Sequence, residues 1–299
     1  MNTNLFLRLK RSIIKKITHS IGYPKNHIIN HLLDGIRIDP IYKERPLRYK
    51  AYFKEKIICT ESLYSFREKY QSLENLFIIG SGPSIKEQPI ELLKNKDIIL
   101  LNGAIHLIKS HQLRPLGVVI IDDSFVRKNA GILSYIPSST HLFLSIYALK
   151  EIFSKAPDLL HNPIYLVHEL KCAGDIIPSD IHQCLYQFDK PTWGVFDGGT
   201  VMAVAIQLAA FISANNVWLL GLDIGNSNTE PRFYENQTNI CRSSLITDYE
   251  TKILPFMRLA AVWYRQNNKN IYNCSPISKL PFDIIPYNDI NKILNILNK

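Results

Sequence analysis

No stretch of this chain approaches the roughly 18 consecutive apolar residues that cross a bilayer, and its start lacks the compact apolar stretch and small-residue cleavage site of a secretory signal. The cytoplasm is therefore the expected compartment. Cysteine is scarce: five residues, Cys59, Cys172, Cys184, Cys241 and Cys274, are scattered along the chain. Their odd number, with no CxxC pair and no histidine at ligand spacing, argues against a disulfide framework or a zinc site and for reduced, mostly buried thiols. A GxGxxG fingerprint and a P-loop are both missing, which removes support for a dinucleotide enzyme or a kinase. So is a DxD-type metal site, because Asp122-Asp123 lacks its spacing. No histidine follows His182.

What is present fits one large α/β core, or one core with a small appendage: 299 residues, 46% hydrophobic, with ordinary numbers of glycine and proline. The formal charge of +9 draws the protein to polyanions, whether nucleic acid, an anionic bilayer or phosphorylated substrates. The cations concentrate early, as Arg8, Lys10, Arg11, Lys15 and Lys16, then Arg45, Arg48, Lys50, Lys54 and Lys56. Among the first group, Leu5, Phe6, Leu9, Ile13, Ile14, Ile17 and Ile21 recur at helical spacing, the pattern of a basic amphipathic helix. Such a helix suits an anionic membrane surface or the protein's own core, and both readings stand. Aromatic interleaving of a nucleic-acid module is missing, so nucleic acid is not an expected partner. The chain thus divides into a basic helical extension, 1–72, and a main domain, 73–299.

From Asn75 the pattern changes to short apolar runs: 76–80, 97–102, 117–122, 141–146, 164–168, 217–223 and 271–275. They are continuous rather than alternating, as expected for strands covered on both faces. Ile85 to Lys94, Val201 to Ser213 and Thr247 to Gln266 carry helical spacing, so βα units in a mostly parallel sheet are expected.

In such a sheet ligands bind beyond the carboxyl ends of the strands, which makes the residues after each run the first candidates. After the first run stand Gly80-Ser81-Gly82-Pro83-Ser84. The glycines let backbone approach a ligand, Ser84 is placed to cap the next helix, and N–H groups at a helix start favour an anion; a plain tight turn reads the same way. The second run ends in Asn102, whose amide offers a donor and an acceptor to a base or ribose. The third ends in Asp122, suited to a general base or to helix capping. Gly198-Gly199-Thr200 opens a second apolar helix. The sixth run ends in Gly221-Leu222-Asp223, and beyond it Arg232-Phe233-Tyr234-Glu235 reads as a loop able to close over a substrate or as an ordinary surface loop.

Together these residues resemble the lipopolysaccharide core proteins that attach an additional, third Kdo residue, and more distantly the bacterial sialyltransferases that use CMP-sialic acid. The likeness runs from about Leu76 to Tyr287. It is carried by KDIILLNGAIHLI, the strand ending at Asp122, GLDIGNS followed by RFYEN, KILPF, and most specifically IYNCSPISKLPFDIIPY, with Tyr272, Ser275, Pro276 and Ile285-Pro286. Towards the sialyltransferases it rests on Ile79 to Glu87, the glycine entry to Ala203-Val204-Ala205-Ile206, Gly221-Leu222-Asp223 and Ser275-Pro276. The resemblance implies a Rossmann-like, mostly parallel sheet with helices on both faces, a sialyltransferase-like variant of the glycosyltransferase A fold. It also implies a CMP-activated ulosonic acid as donor, Kdo in the first family, with lipopolysaccharide core as acceptor and no cofactor or metal. Gly80, Ser81, Gly82, Pro83, Ser84, Asn102, Gly198, Gly199, Thr200, Ser275 and Pro276 would cradle cytidine and phosphate. Gly221, Asp223, Arg232 and Tyr234 would complete the donor site, Arg232 and Tyr234 at the charge of the leaving phosphate.

The expected chemistry is an inverting displacement in which a base takes the acceptor hydroxyl proton and CMP leaves. Here the chain departs from the sialyltransferases, which supply a histidine base after their GxD strand. Asp122 and Glu235 are the acidic candidates instead, with Asp223 a further one. Three rivals remain at this point: a sialyltransferase using CMP-sialic acid, a pterin-type pyrophosphokinase needing magnesium and ATP, and a nucleotide-binding protein without catalysis.

Overall fold

The structure is a computed structural model and describes residues 12–14, 16–22, 36–41, 48–170, 181–225, 232–235 and 244–297. Much of the early basic region, expected to be helical, is sheet. β1 (Ile36–Pro40), β2 (Tyr49–Phe53) and β3 (Lys56–Cys59) pair antiparallel in that order. Their alternation is short: Ile36, Ile38 and Ala51 turn into the core while charged neighbours face solvent. The chain then reaches the edge of the main sheet, where Glu61 N–H donates to Ile164 O at 2.6 Å. A helix, Leu63–Tyr70, buries Leu63 and Phe66 against that sheet. Of the proposed amphipathic helix, residues 12–14 and 16–20 are helical, with Ile13, Ile17 and Ile21 exposed. Leu5, Phe6, Arg8, Leu9, Lys10, Arg11, Lys15 and Arg45 lie outside the described residues.

All seven continuous apolar runs fold into one parallel sheet: β4 (Asn75–Ile79), β5 (Ile98–Leu101), β6 (Gly117–Ile120), β7 (His141–Leu144), β8 (Ile164–Leu166), β9 (Asn216–Leu220) and β10 (Asn270–Asn273), in the order β10-β9-β4-β5-β6-β7-β8. Alternate residues enter separate cores. Leu76, Ile78, Ile99, Leu101, Val217 and Leu219 pack on one face with the helix Val201–Phe211; Phe77, Ile79, Ile98, Leu100, Trp218 and Leu220 pack on the other. Each such side chain contributes about 1.5–3 kcal/mol when buried, which is why apolar residues fill most positions of the runs. The helix Val201–Phe211 is buried from Met202 to Phe211 and is apolar apart from Gln207, whose amide is bonded to the Phe196 backbone.

Ile85 to Lys94 does not form the expected α-helix. It makes two 3-10 turns, Pro83–Glu87 and Ile90–Leu93, because Pro89 between them has no N–H to continue a helix. Gly82 rather than Ser84 occupies the capping position, with Pro83 first in the turn. Among the described cysteines, Cys59 is exposed and Cys184 and Cys274 are buried, all three as free thiols; Cys172 and Cys241 lie outside the described residues. No helix of the described residues is long and apolar enough to cross a membrane.

The strand order fixes the place of any ligand. From β4 the sheet grows outward through β8; the chain then returns by Val201–Phe211 and lays β9 on the other edge of β4. A reversal of this kind favours a ligand crevice beyond the carboxyl ends of the strands.

At the opposite end of the sheet His141, the first residue of β7, is bonded on both ring nitrogens: Nε2 to Tyr70 Oη and Nδ1 to Tyr165 Oη, each 3.0 Å. Burial, and secondarily the charge of Lys69, lowers its pKa from 6.5 to about 4. The unfolded chain binds this proton from pH 6.5 downward while the folded chain resists it. The stabilisation is therefore complete above pH 6.5 and lost as pH falls towards 4, by about 3 kcal/mol in all. Urea unfolding at pH 7 and pH 4.5 should show this drop in the wild type and a smaller one in His141→Gln; parallel pH dependences would contradict it.

Candidate active site

The backbone strands of the crevice nearly touch. Gly80 N–H donates to Leu220 O at 2.8 Å and Gly82 N–H to Gly221 O at 3.1 Å, so pairing continues past the ends of β4 and β9. A Cβ on Gly80 would meet Gly221 O at 2.9 Å, and one on Gly82 would meet Asp223 Oδ2 at 2.3 Å. Gly221 has φ +67°, a conformation that side chains avoid. The glycines of both motifs are therefore required by the contact between two loops, and the space above that contact is the site.

That space is a cavity of about 400 Å³. Gly80, Ser81, Gly82 and Pro83 line it from β4, Asn102 from β5, Asp122 from β6, Gly199 and Thr200 from the second glycine turn, and Gly221 and Asp223 from β9. Arg232 and Tyr234 line it from the loop beyond. Residues from six separate stretches of sequence thus meet as expected. Asn102 stands at φ 42°, and its Oδ1 is buried with no hydrogen-bond partner among the described residues. A buried acceptor left open costs about 1–3 kcal/mol, which a donating ligand would recover. Thr200 caps the helix Val201–Phe211, its hydroxyl accepting from Met202 N–H at 3.3 Å.

Other candidate residues sit elsewhere. Ser84 and Ser275 are buried beneath the floor, their hydroxyls 3.5 Å apart. Ser275 Oγ accepts from Leu222 N–H at 2.8 Å, and Ser84 N–H donates to Asp223 Oδ2 at 2.7 Å. This pair ties β4, β9 and β10 together and does not line the cavity, so a direct cytidine contact for either is corrected to support of the floor. Pro276 is exposed and also absent from the lining. Gly198, at φ +56°, is wedged against Ala203 and Phe256 and serves the turn.

Both proposed bases are committed. Asp122 caps the helix Asp123–Lys128, its Oδ1 accepting from Ser124 N–H at 2.8 Å and its Oδ2 from Ser124 Oγ at 2.9 Å. Glu235, only 6% exposed, accepts from Arg232 through both oxygens, the guanidinium at 2.8 Å and the backbone N–H at 3.1 Å. It shapes the Arg232 loop rather than lining the cavity. The loop is seated on the rim: Phe233 N–H donates to Ser81 O at 3.3 Å, and the Tyr234 ring stacks on His106 at 4.7 Å. Burial moves the His106 pKa down, favouring the neutral ring. A Cβ on Gly103 would lie 1.9 Å from Tyr234, so that glycine makes the seat.

A further part of the cavity wall is made by Lys128, Asp197, Ser244, Asp248 and Lys252; of these, sequence reasoning had only Asp197, in the segment before the second glycine turn, and Lys252, as the first residue of KILPF. Lys252 Nζ lies 3.3 Å from Asp197 Oδ2 and 4.0 Å from Asp248 Oδ1. A π-helical turn, Tyr249–Ile253, ahead of the helix Leu254–Gln266 brings Asp248 and Lys252 onto this wall. Helical spacing gave no sign of it. Among the described residues no group of three or more His, Cys, Asp or Glu is arranged to hold a metal.

Residues 54–229, more than half of the chain, match the family model described as 6-hydroxymethylpterin diphosphokinase MptE-like. The chain belongs to the MptE-like family. It is 26% identical over 245 residues to the probable 3-deoxy-manno-octulosonic acid transferase of Salmonella typhimurium, covering 73% of this chain and 87% of that one. With the Escherichia coli protein of the same description it shares 24% over 241 residues, covering 72% and 82%. Among solved structures it is similar to the MAf glycosyltransferase of Magnetospirillum magneticum, with 19% identity, a TM-score of 0.46, and 70% of this chain but 33% of that chain covered. It is also similar to the sialyltransferase CstII of Campylobacter jejuni in complex with cytidine-5'-monophosphate, with 12% identity, a TM-score of 0.42, and 73% and 86% covered.

Packing at Gly82 should be measurable apart from any activity. Gly82→Ala forces a methyl against Asp223 and should cost about 1–3 kcal/mol in urea unfolding. Gly131→Ala, where a Cβ meets nothing within 4 Å, should stay within about 1 kcal/mol of wild type. Equal effects would show that the two loops are not in contact.

Proposed function

We propose that this protein is an inverting, metal-independent glycosyltransferase that moves a ulosonic acid, Kdo, from CMP to a lipopolysaccharide core acceptor. The observation that carries the reading is the cavity at the β4/β9 reversal, with glycine backbone on its floor and the unpaired Asn102 acceptor at its side. Its size suits a nucleotide-linked sugar. Lys128, Arg232 and Lys252 give the cavity three cations against the carboxylates of Asp122, Asp197, Asp223 and Asp248. A leaving phosphate gathers charge as its bond to the sugar breaks, and the cations of the cavity, Arg232 among them, are suited to receive it. The Salmonella and Escherichia relatives, described as probable transferases of this sugar acid, support the choice of Kdo over sialic acid. Basic residues at the amino end suit work on the inner face of an anionic membrane.

A second reading, diphosphoryl transfer to a hydroxymethylpterin, is favoured by the family description. The two are separated by one set of incubations. Protein with CMP-Kdo generated in situ and a lipopolysaccharide acceptor, in excess EDTA, should release CMP and extend the acceptor by one Kdo. CMP-sialic acid should be a poor donor, and ATP with magnesium and 6-hydroxymethylpterin should yield no AMP. Asn102→Gly, which keeps the backbone free at φ 42°, should weaken CMP binding about tenfold by calorimetry. AMP release without CMP release would replace the proposal with the second reading.

A further inference from the structure

Four carboxylates line the cavity, Asp122, Asp197, Asp223 and Asp248, and three are already engaged. Both oxygens of Asp122 accept from Ser124. Asp223 is 4% exposed, with Oδ2 accepting Ser84 N–H at 2.7 Å and Oδ1 buried without a hydrogen-bond partner among the described residues. Asp197 accepts the Lys252 ammonium at 3.3 Å. Asp248 differs. Among the described residues its carboxylate has one charged neighbour, Lys252 at 4.0 Å, and its side chain is 25% exposed.

The backbone around Asp248 is held more firmly than its carboxylate. Its N–H donates to Ser244 O at 2.8 Å, and its carbonyl accepts from Lys252 N–H at 2.9 Å and Ile253 N–H at 3.0 Å, the doubled bond of the π-helical turn. Such turns are frequent at functional sites because the extra residue redirects a side chain. Gly199 presses against the same place: a Cβ there would lie 2.9 Å from Lys252 Cβ and 3.2 Å from Asp248 Cβ. The second glycine motif thus makes room for this pair on the cavity wall.

We propose that Asp248 is the general base of the glycosyl transfer, an assignment that rests on the reading of the preceding subsection. Its carboxylate takes the proton of the acceptor hydroxyl as that oxygen bonds to the anomeric carbon. The bond from the anomeric carbon to the phosphate oxygen breaks, and its electron pair leaves with CMP. The proton on Asp248 is then lost to solvent. Lys252, held by Asp197 at 3.3 Å, stands 4.0 Å from this carboxylate as its charged neighbour.

The test uses the full chain, CMP-Kdo generated in situ and a lipopolysaccharide acceptor, with CMP affinity measured separately by calorimetry. Asp248→Asn should bind CMP within threefold of wild type while acceptor-dependent turnover falls at least 100-fold. Asp248→Ala should regain part of that turnover in added formate, a response that a merely structural residue would not show. Turnover of Asp248→Asn within threefold of wild type would overturn the assignment. Loss of CMP binding in that variant would also overturn it, making Asp248 a binding group. A wild type that binds CMP but turns over no CMP-linked donor would instead overturn the glycosyltransferase reading, and the base assignment with it.

Discussion

Two hydrogen bonds, Gly80 N–H to Leu220 O and Gly82 N–H to Gly221 O, carry the pairing of β4 and β9 beyond the last residues of the sheet. Nothing larger than a hydrogen fits on the α-carbons between these loops, and the consequences spread outward from there. Asp223 comes close enough to take the Ser84 N–H, Ser275 braces Leu222 from below, and the crevice above keeps bare backbone for a floor. A side chain at Gly82 would push Asp223 away and fill the place where a ligand could rest against the main chain.

The sheet was readable because burial on both faces leaves a strand no polar positions, and a run such as LFIIG has no other economical explanation. The small sheet of β1 to β3 was not. Its strands place only Ile36, Ile38 and Ala51 in the core, too few apolar positions to mark strands in a segment rich in lysine and arginine. Pro89 was visible in the sequence, yet the apolar spacing around it outweighed its missing N–H in the reading of Ile85 to Lys94. Tertiary contact decided the first case and the missing N–H of Pro89 the second.

The site was legible in outline and misjudged in its chemistry. Strand ends located Gly80 to Pro83, Asn102, Asp122, Gly199, Thr200, Gly221 and Asp223 on one cavity, because the topology leaves them no other meeting place. The roles of single groups depended on partners distant in sequence. Ser84 and Ser275 looked like ligand hydroxyls and are bonded to each other 191 residues apart. Glu235 looked like a base and is spent on Arg232. Asp248 drew no notice and Lys252 only as part of KILPF, since a π-helical turn hides inside an ordinary amphipathic pattern.

The function proposed for this protein and its rival both require a phosphorylated ligand, and the crevice is where the proposal puts it. Hydrogen exchange followed by mass spectrometry, with and without CMP, tests the location most directly. The account expects slowed exchange in peptides containing Gly80 to Ser84, Leu101 to Gly103 and Leu220 to Ile224. Protection confined to the β1–β3 sheet or to Tyr70, His141 and Tyr165 at the far end of the strands would contradict it.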